Sequence, residues 1–274
     1  MYDGKEDARG RNFENIDNDR VFSYGEDIMK KVNLLCFPHA GGTAGIYHEL
    51  LAKEVAENIK IVPIELPGRG KRFCETLIED FDELIEDLWS YIKSIITKEE
   101  EYALFGYSMG SRLIFALYYK IVEHNFKPPV NMFFCASEIP EINIAYNDLN
   151  DNNIIQDLIC FGGTSEEVLE NEELLEIVIP IMRADLKVMN SYHYIGNKEK
   201  IKCPIIIING KQDFETIAGI QGWSNYTDST CEFVFYDDGH FFIYHNQHNL
   251  GLVISQKIER DMKIRQDNKP TYYK

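Results

Sequence analysis

Five consecutive residues, Gly106-Tyr107-Ser108-Met109-Gly110, have the types and spacing for nucleophilic chemistry. An apolar run from Tyr102 to Phe105 precedes them and reads as a buried strand. After Ser111, residues Leu113, Ile114, Leu117, Tyr118 and Ile121 recur at three- and four-residue steps, the period of a helix. Gly-x-Ser-x-Gly between a strand and a helix is a nucleophile elbow. So sharp a turn leaves no room for a Cβ on either side of the serine, and Gly106 and Gly110 remove those clashes. Ser108 is then held at the tip, and the Met109 amide at the helix start points to where an oxyanion would form. A glycine-rich turn carrying an incidental serine would look the same locally, so the argument turns on partners elsewhere in the chain.

A serine nucleophile needs a base, and the base needs a carboxylate to orient it. The chain has seven histidines. His240 follows a strand-like run in Asp238-Gly239-His240-Phe241-Phe242, which suits a loop at the carboxyl edge of a sheet, where open α/β sheets bind ligands. His39 also follows a strand but precedes the serine. His48, His124 and His193 fall on helical patterns, and His245 and His248 lie beyond the loop. Asp213 closes the apolar run Pro204–Asn209, with Glu215 as the competing carboxylate two residues on. The order Ser108, Asp213, His240 is that of an α/β hydrolase. No histidine pair has metal-ligand spacing on one helix face, so no metal is expected.

The elements that must position these residues alternate strand with helix. Val32–Phe37, Ile61–Glu65, Tyr102–Phe105, Val130–Cys135, Pro204–Asn209 and Cys231–Tyr236 read as strands, with Pro63 suggesting an edge position. Helical patterns follow Pro38-His39-Ala40-Gly41-Gly42, run from Leu77 to Ile96, follow the elbow, and close the chain from Leu250 to Met262. The first of these loops is either half of an oxyanion hole or a plain strand-to-helix turn. Between Ile139 and Lys200 no strand is convincing; helical pieces at Leu158–Phe161, Val168–Leu175 and Ile177–Tyr194 suggest a lid over the serine. This predicts a mostly parallel sheet covered on both faces. The expected organisation is a polar N-terminal extension over 1–30, a single α/β-hydrolase domain over 31–265 with a lid insertion at about 139–200, and a polar tail over 266–274.

Composition excludes several classes. A formal net charge of −17 over 274 residues argues against nucleic acid and against anionic membrane surfaces. No apolar stretch approaches the ~18 residues that span a bilayer, and no signal-like segment opens the chain. None of the six cysteines forms a C-x-x-C pair, and Cys36, Cys135, Cys203 and Cys231 lie in or beside strand-like runs. A cytoplasmic protein with reduced thiols is expected.

Several blocks together resemble the type II thioesterases, the stand-alone editing enzymes of non-ribosomal peptide and polyketide synthesis. They are Leu35-Cys36-Phe37-Pro38-His39-Ala40-Gly41-Gly42, Glu65-Leu66-Pro67-Gly68-Arg69-Gly70, the elbow, Arg183-Ala184-Asp185-Leu186, and Gly239-His240-Phe241-Phe242. The Pro-Gly-Arg-Gly and Arg-Ala-Asp blocks are the most particular to that group. The resemblance implies an α/β-hydrolase fold with a helical lid, and hydrolysis of acyl or aminoacyl groups from the phosphopantetheine arm of a carrier protein. It implies Ser108, Asp213 and His240 as triad, with Met109 and Ala40 as oxyanion amides. It implies no cofactor, because the arm belongs to the substrate, and the chain is expected to act as a monomer. The N-terminal extension departs from the family pattern, and so does Gln212, where a second acidic residue often stands. An esterase acting on small free esters or on acyl-CoA shares the same triad. A catalytically idle binding module would lack one of its members.

Overall fold

The computed structural model describes residues 30–97, 100–142, 145–161, 163–196 and 199–267. The expected extension, apart from Lys30, lies outside the described residues, as does the tail beyond Asp267. Among these residues six strands form one sheet in the order β2-β1-β3-β4-β5-β6: β1 Val32–Phe37, β2 Ile59–Pro63, β3 Glu101–Tyr107, β4 Met132–Cys135, β5 Ile205–Gly210 and β6 Cys231–Tyr236. Every neighbouring pair is parallel. The strands are buried on both faces, so they read as nearly unbroken apolar runs. Alternate residues divide between two cores. Leu35, Phe37 and Leu104 pack with helices α2 (Phe81–Ile92) and α3 (Met109–Glu123), whereas Leu34, Cys36, Ala103 and Phe105 pack with α1 (Gly45–Leu51) and with α8 (Gln247–Asp267), which follows the short α7 (Phe214–Ile217). A residue slip of one along any strand would exchange these sets.

Element types follow the sequence reading, and the boundaries move for local reasons. β2 begins and ends two residues earlier than expected, finishing at Pro63, and it is an edge strand. α2 starts later than its apolar pattern, because Asp80 caps it by accepting from Glu83 N–H at 3.0 Å. Among the described residues, three helices stand between β4 and β5: α4 Asp151–Phe161, α5 Glu166–Leu169 and α6 Glu172–Ser191. The break falls at Asn171, whose side chain accepts from Glu173 and Leu174 N–H, and α6 runs unbroken through Pro180. α8 takes in Gln266 and Asp267, which the sequence had suggested for the tail. Ile154, Leu158, Ile179, Met182 and Leu186 give the inserted helices a small core of their own.

Candidate active site

Ser108 adopts φ 53° and ψ −115°, a backbone conformation that L-residues rarely occupy, and α3 begins at the next residue. The flanking glycines permit it. A Cβ on Gly106 would lie 2.4 Å from the Gly110 carbonyl oxygen, and one on Gly110 would lie 2.2 Å from the Phe37 carbonyl oxygen. The elbow is thus wedged against the end of β1, next to the loop Pro38-His39-Ala40-Gly41-Gly42. Met109, as the first residue of α3, has no intrahelical acceptor for its N–H.

His240 Nε2 lies 3.1 Å from Ser108 Oγ, and His240 Nδ1 lies 2.7 Å from Asp213 Oδ2. The three side chains come from the carboxyl ends of β3, β5 and β6. Close backbone packing holds the last two loops together: a Cβ on Gly210 would fall 2.2 Å from the Gly239 carbonyl oxygen, and Gln212 N–H donates to the Asp238 carbonyl at 2.9 Å. With Nδ1–H directed to Asp213, Nε2 is free to accept the serine proton. Asp213 is 5% exposed. Burial alone would raise its carboxyl, but the hydrogen bond and charge of His240, with help from Thr216, hold it below the usual carboxylate range. It therefore stays ionised and orients the imidazole.

These groups open into a cavity of about 1140 Å³, which Ala40, Ser108, Asp213 and His240 line together with Leu158, Met182, Leu186 and Met189 of the inserted helices. The expected lid segment therefore lines the same cavity as the serine. His39, set aside on chain order, also lines the cavity. It is buried, its Nδ1 lies 3.1 Å from the Ala40 carbonyl oxygen, and burial pulls its pKa down to about 4 despite that contact. Phe241 stands edge-on to both His39 and His240.

Sequence reasoning missed a second carboxylate in the cavity. Glu138 follows β4 and is buried, with Arg112 of α3 at 3.4 Å. Burial pushes its carboxyl upward against its own backbone N–H and Arg112. Its only sequence signal was a charged residue soon after an apolar strand. Arg69 and Asp185 were noted only as parts of blocks, and the structure joins them in a buried bidentate ion pair, Nη1–Oδ2 2.5 Å and Nη2–Oδ1 2.7 Å. Among the described residues, no group of three or more His, Cys, Asp or Glu is placed to hold a metal ion, and no helix is long and apolar enough to cross a membrane.

Residues 32–258 match the family described as Thioesterase domain. The gramicidin S biosynthesis protein GrsT of Aneurinibacillus migulanus is 32% identical over 240 residues, which cover 83% of this chain and 92% of that protein. A protein of Brevibacillus parabrevis named linear gramicidin dehydrogenase LgrE is 30% identical over 236 residues, 84% of this chain and 88% of that one. Among solved structures, ClbQ from the colibactin NRPS/PKS pathway superposes with a TM-score of 0.80 at 25% identity, over 86% of this chain and all of that one.

Proposed function

This chain belongs to the thioesterase family, and we propose that within it the protein hydrolyses acyl or aminoacyl thioesters from the phosphopantetheine arm of carrier proteins, through an acyl-Ser108 intermediate. The observation that carries the reading is the hydrogen-bonded line Ser108, His240, Asp213 at one wall of a cavity roofed by the inserted helices. His240 Nε2 takes the Ser108 proton as Oγ attacks the thioester carbonyl. The Met109 and Ala40 amides stabilise the oxyanion, which collapses to expel the pantetheine thiolate with the proton returned from His240. Water then attacks the acyl-serine with His240 as base again, releasing the acid and restoring the serine. Asp213 holds the imidazole tautomer and stabilises its cation. Every proton stays within the triad, water and substrate, so the reaction draws on no cofactor.

A relative named for gramicidin S biosynthesis and structural neighbours from the colibactin NRPS/PKS pathway and the borrelidin biosynthetic cluster support a carrier-bound substrate, as do the blocks shared with the stand-alone editing enzymes. The name of one relative speaks of a dehydrogenase. This chain has no Gly-x-Gly-x-x-Gly dinucleotide fingerprint, whereas its Ser108, His240 and Asp213 stand in hydrogen-bond contact, which supports hydrolysis. A panel of acyl-carrier and acyl-CoA thioesters against matched oxygen esters tests the proposal. Preference in kcat/KM for the carrier-bound thioesters is expected; equal or better turnover of free oxygen esters would favour the esterase reading.

A further inference from the structure

Asp185 lies on α6, far in sequence from the nucleophile, yet it is 1% exposed and makes three strong contacts. Two are to Arg69, whose side chain is 3% exposed. The third comes from the Gly41 N–H, which donates to Asp185 Oδ2 at 2.7 Å. Arg69 Nη1 also reaches the Gly42 carbonyl oxygen at 3.4 Å. The loop after β1 is therefore gripped at the consecutive residues Gly41 and Gly42 by one guanidinium–carboxylate pair. Farther along, Ala44 N–H donates to Glu65 Oε1 at 3.0 Å, and before it His39 N–H donates to Tyr47 Oη at 3.2 Å. Gly41 itself has φ +74°, and a Cβ there would fall 3.1 Å from Met182 Sδ, one turn before Asp185 on the same helix.

Ala40 sits within this clamped segment, one residue before the amide that Asp185 holds. We propose that Asp185, oriented by its bidentate contact with Arg69, is a positioning residue that fixes the Ala40–Gly41 peptide and so sets the oxyanion hole, coupling the cavity-lining helix α6 to the catalytic loop. A charge-assisted bond from a backbone amide to a carboxylate is among the stronger protein hydrogen bonds. Buried bidentate pairing with Arg69 leaves the carboxylate no alternative orientation. α6 also contributes Met182, Leu186 and Met189 to the cavity wall, so the same helix shapes the acyl site and holds the loop beside the reacting carbonyl. The inference rests on the reading of Ala40 as an oxyanion amide.

The test compares two double variants of the full chain, each removing both charges so that none is left buried alone. Arg69→Met with Asp185→Leu is an apolar exchange, a change that is often neutral or stabilising for buried pairs, and it leaves Gly41 N–H without its acceptor. Arg69→Gln with Asp185→Asn restores an acceptor oxygen. Turnover of acetyl-pantetheine is measured per serine titrated to completion by a fluorophosphonate, with mass spectrometry of the intact protein, so unfolded material does not enter the rate. The apolar pair should lose roughly 10–100-fold in kcat, as expected for small misplacements of catalytic groups, with KM changed less than about threefold. The amide pair should recover kcat several-fold over the apolar pair. Wild-type kcat per titrated serine in the apolar pair, or equal depression in both pairs, would overturn the positioning role. If Ser108→Ala still turned over substrate, the functional reading would fall and this inference with it. An inactive Ser108→Ala beside a fully active apolar pair would overturn the inference alone.

Discussion

Tyr107 donates its phenolic proton to the carbonyl oxygen of His240 at 2.5 Å, so the residue before Ser108 holds the backbone of His240. Tyr107 is fully buried at the end of β3. Tyr107→Phe removes this hydrogen bond, a loss of about 1 kcal/mol in stability. The His240 loop should loosen with it, and kcat should fall roughly tenfold, as modest displacements of a catalytic group do. Steady-state kinetics and denaturant titration check both effects; an unchanged kcat would show that the loop is positioned by other contacts.

Asp213→Asn should keep the fold and lower kcat by roughly 10³–10⁴, because the imidazole loses the acceptor that fixes its tautomer. Glu215→Gln should remain near wild type, since His240 Nδ1 faces Asp213 at 2.7 Å. The opposite ranking in steady-state kinetics would transfer the orienting role to Glu215.

The order Ser108, Asp213, His240 was legible because each residue follows a strand, and parallel strands bring those ends to one edge. The elbow glycines were legible because their requirement is steric and local. Arg69 and Asp185 were visible as motifs without a role: their pairing joins a β2–α2 loop to a helix more than a hundred residues later, and no local period reports such a contact. Glu138 gave no signal beyond its place after β4. Its burial depends on α3 supplying Arg112 and on how the inserted helices close over the cavity. Helix ends were displaced by single caps, Asp80 and Asn171, which compete with an apolar pattern that continues past them.

His39 makes stability depend on pH. Its pKa falls from 6.5 to about 4 on folding, because the buried ring resists protonation. At pH between those values the unfolded chain binds the extra proton, so stability contributed above 6.5 is lost as pH falls toward 4, by about 3 kcal/mol. Glu138 works in the other direction: its raised folded pKa means stability is lost as pH rises above 4.5. Comparison with His39→Gln isolates the first effect. Urea denaturation between pH 4.5 and 7.5 should show the wild type losing stability on acidification faster than the variant, and parallel curves would contradict the assignment.

Helix α4 of the insertion should govern access more than chemistry. α4 and α6 meet through a small core distinct from the two flanking the sheet, and Leu158 of that core also lines the cavity. Small separate cores open more readily than central strands. Leu158→Gln should therefore change kcat/KM for carrier-bound thioesters severalfold, while the rate of Ser108 phosphonylation by a small reagent changes little. Equal effects on both would remove the gating role.

The central claim is an acyl group carried on Ser108 between a carrier thioester and water. Rapid-quench mass spectrometry of the enzyme mixed with an acyl-carrier thioester tests it most directly. The account predicts a transient mass increase equal to the acyl group on the peptide bearing Ser108, decaying at the rate of acid release. It predicts that Ser108→Ala loses both the adduct and turnover, by on the order of 10⁶ in kcat. Substantial thioester hydrolysis by Ser108→Ala, or an adduct on any other residue, would contradict it.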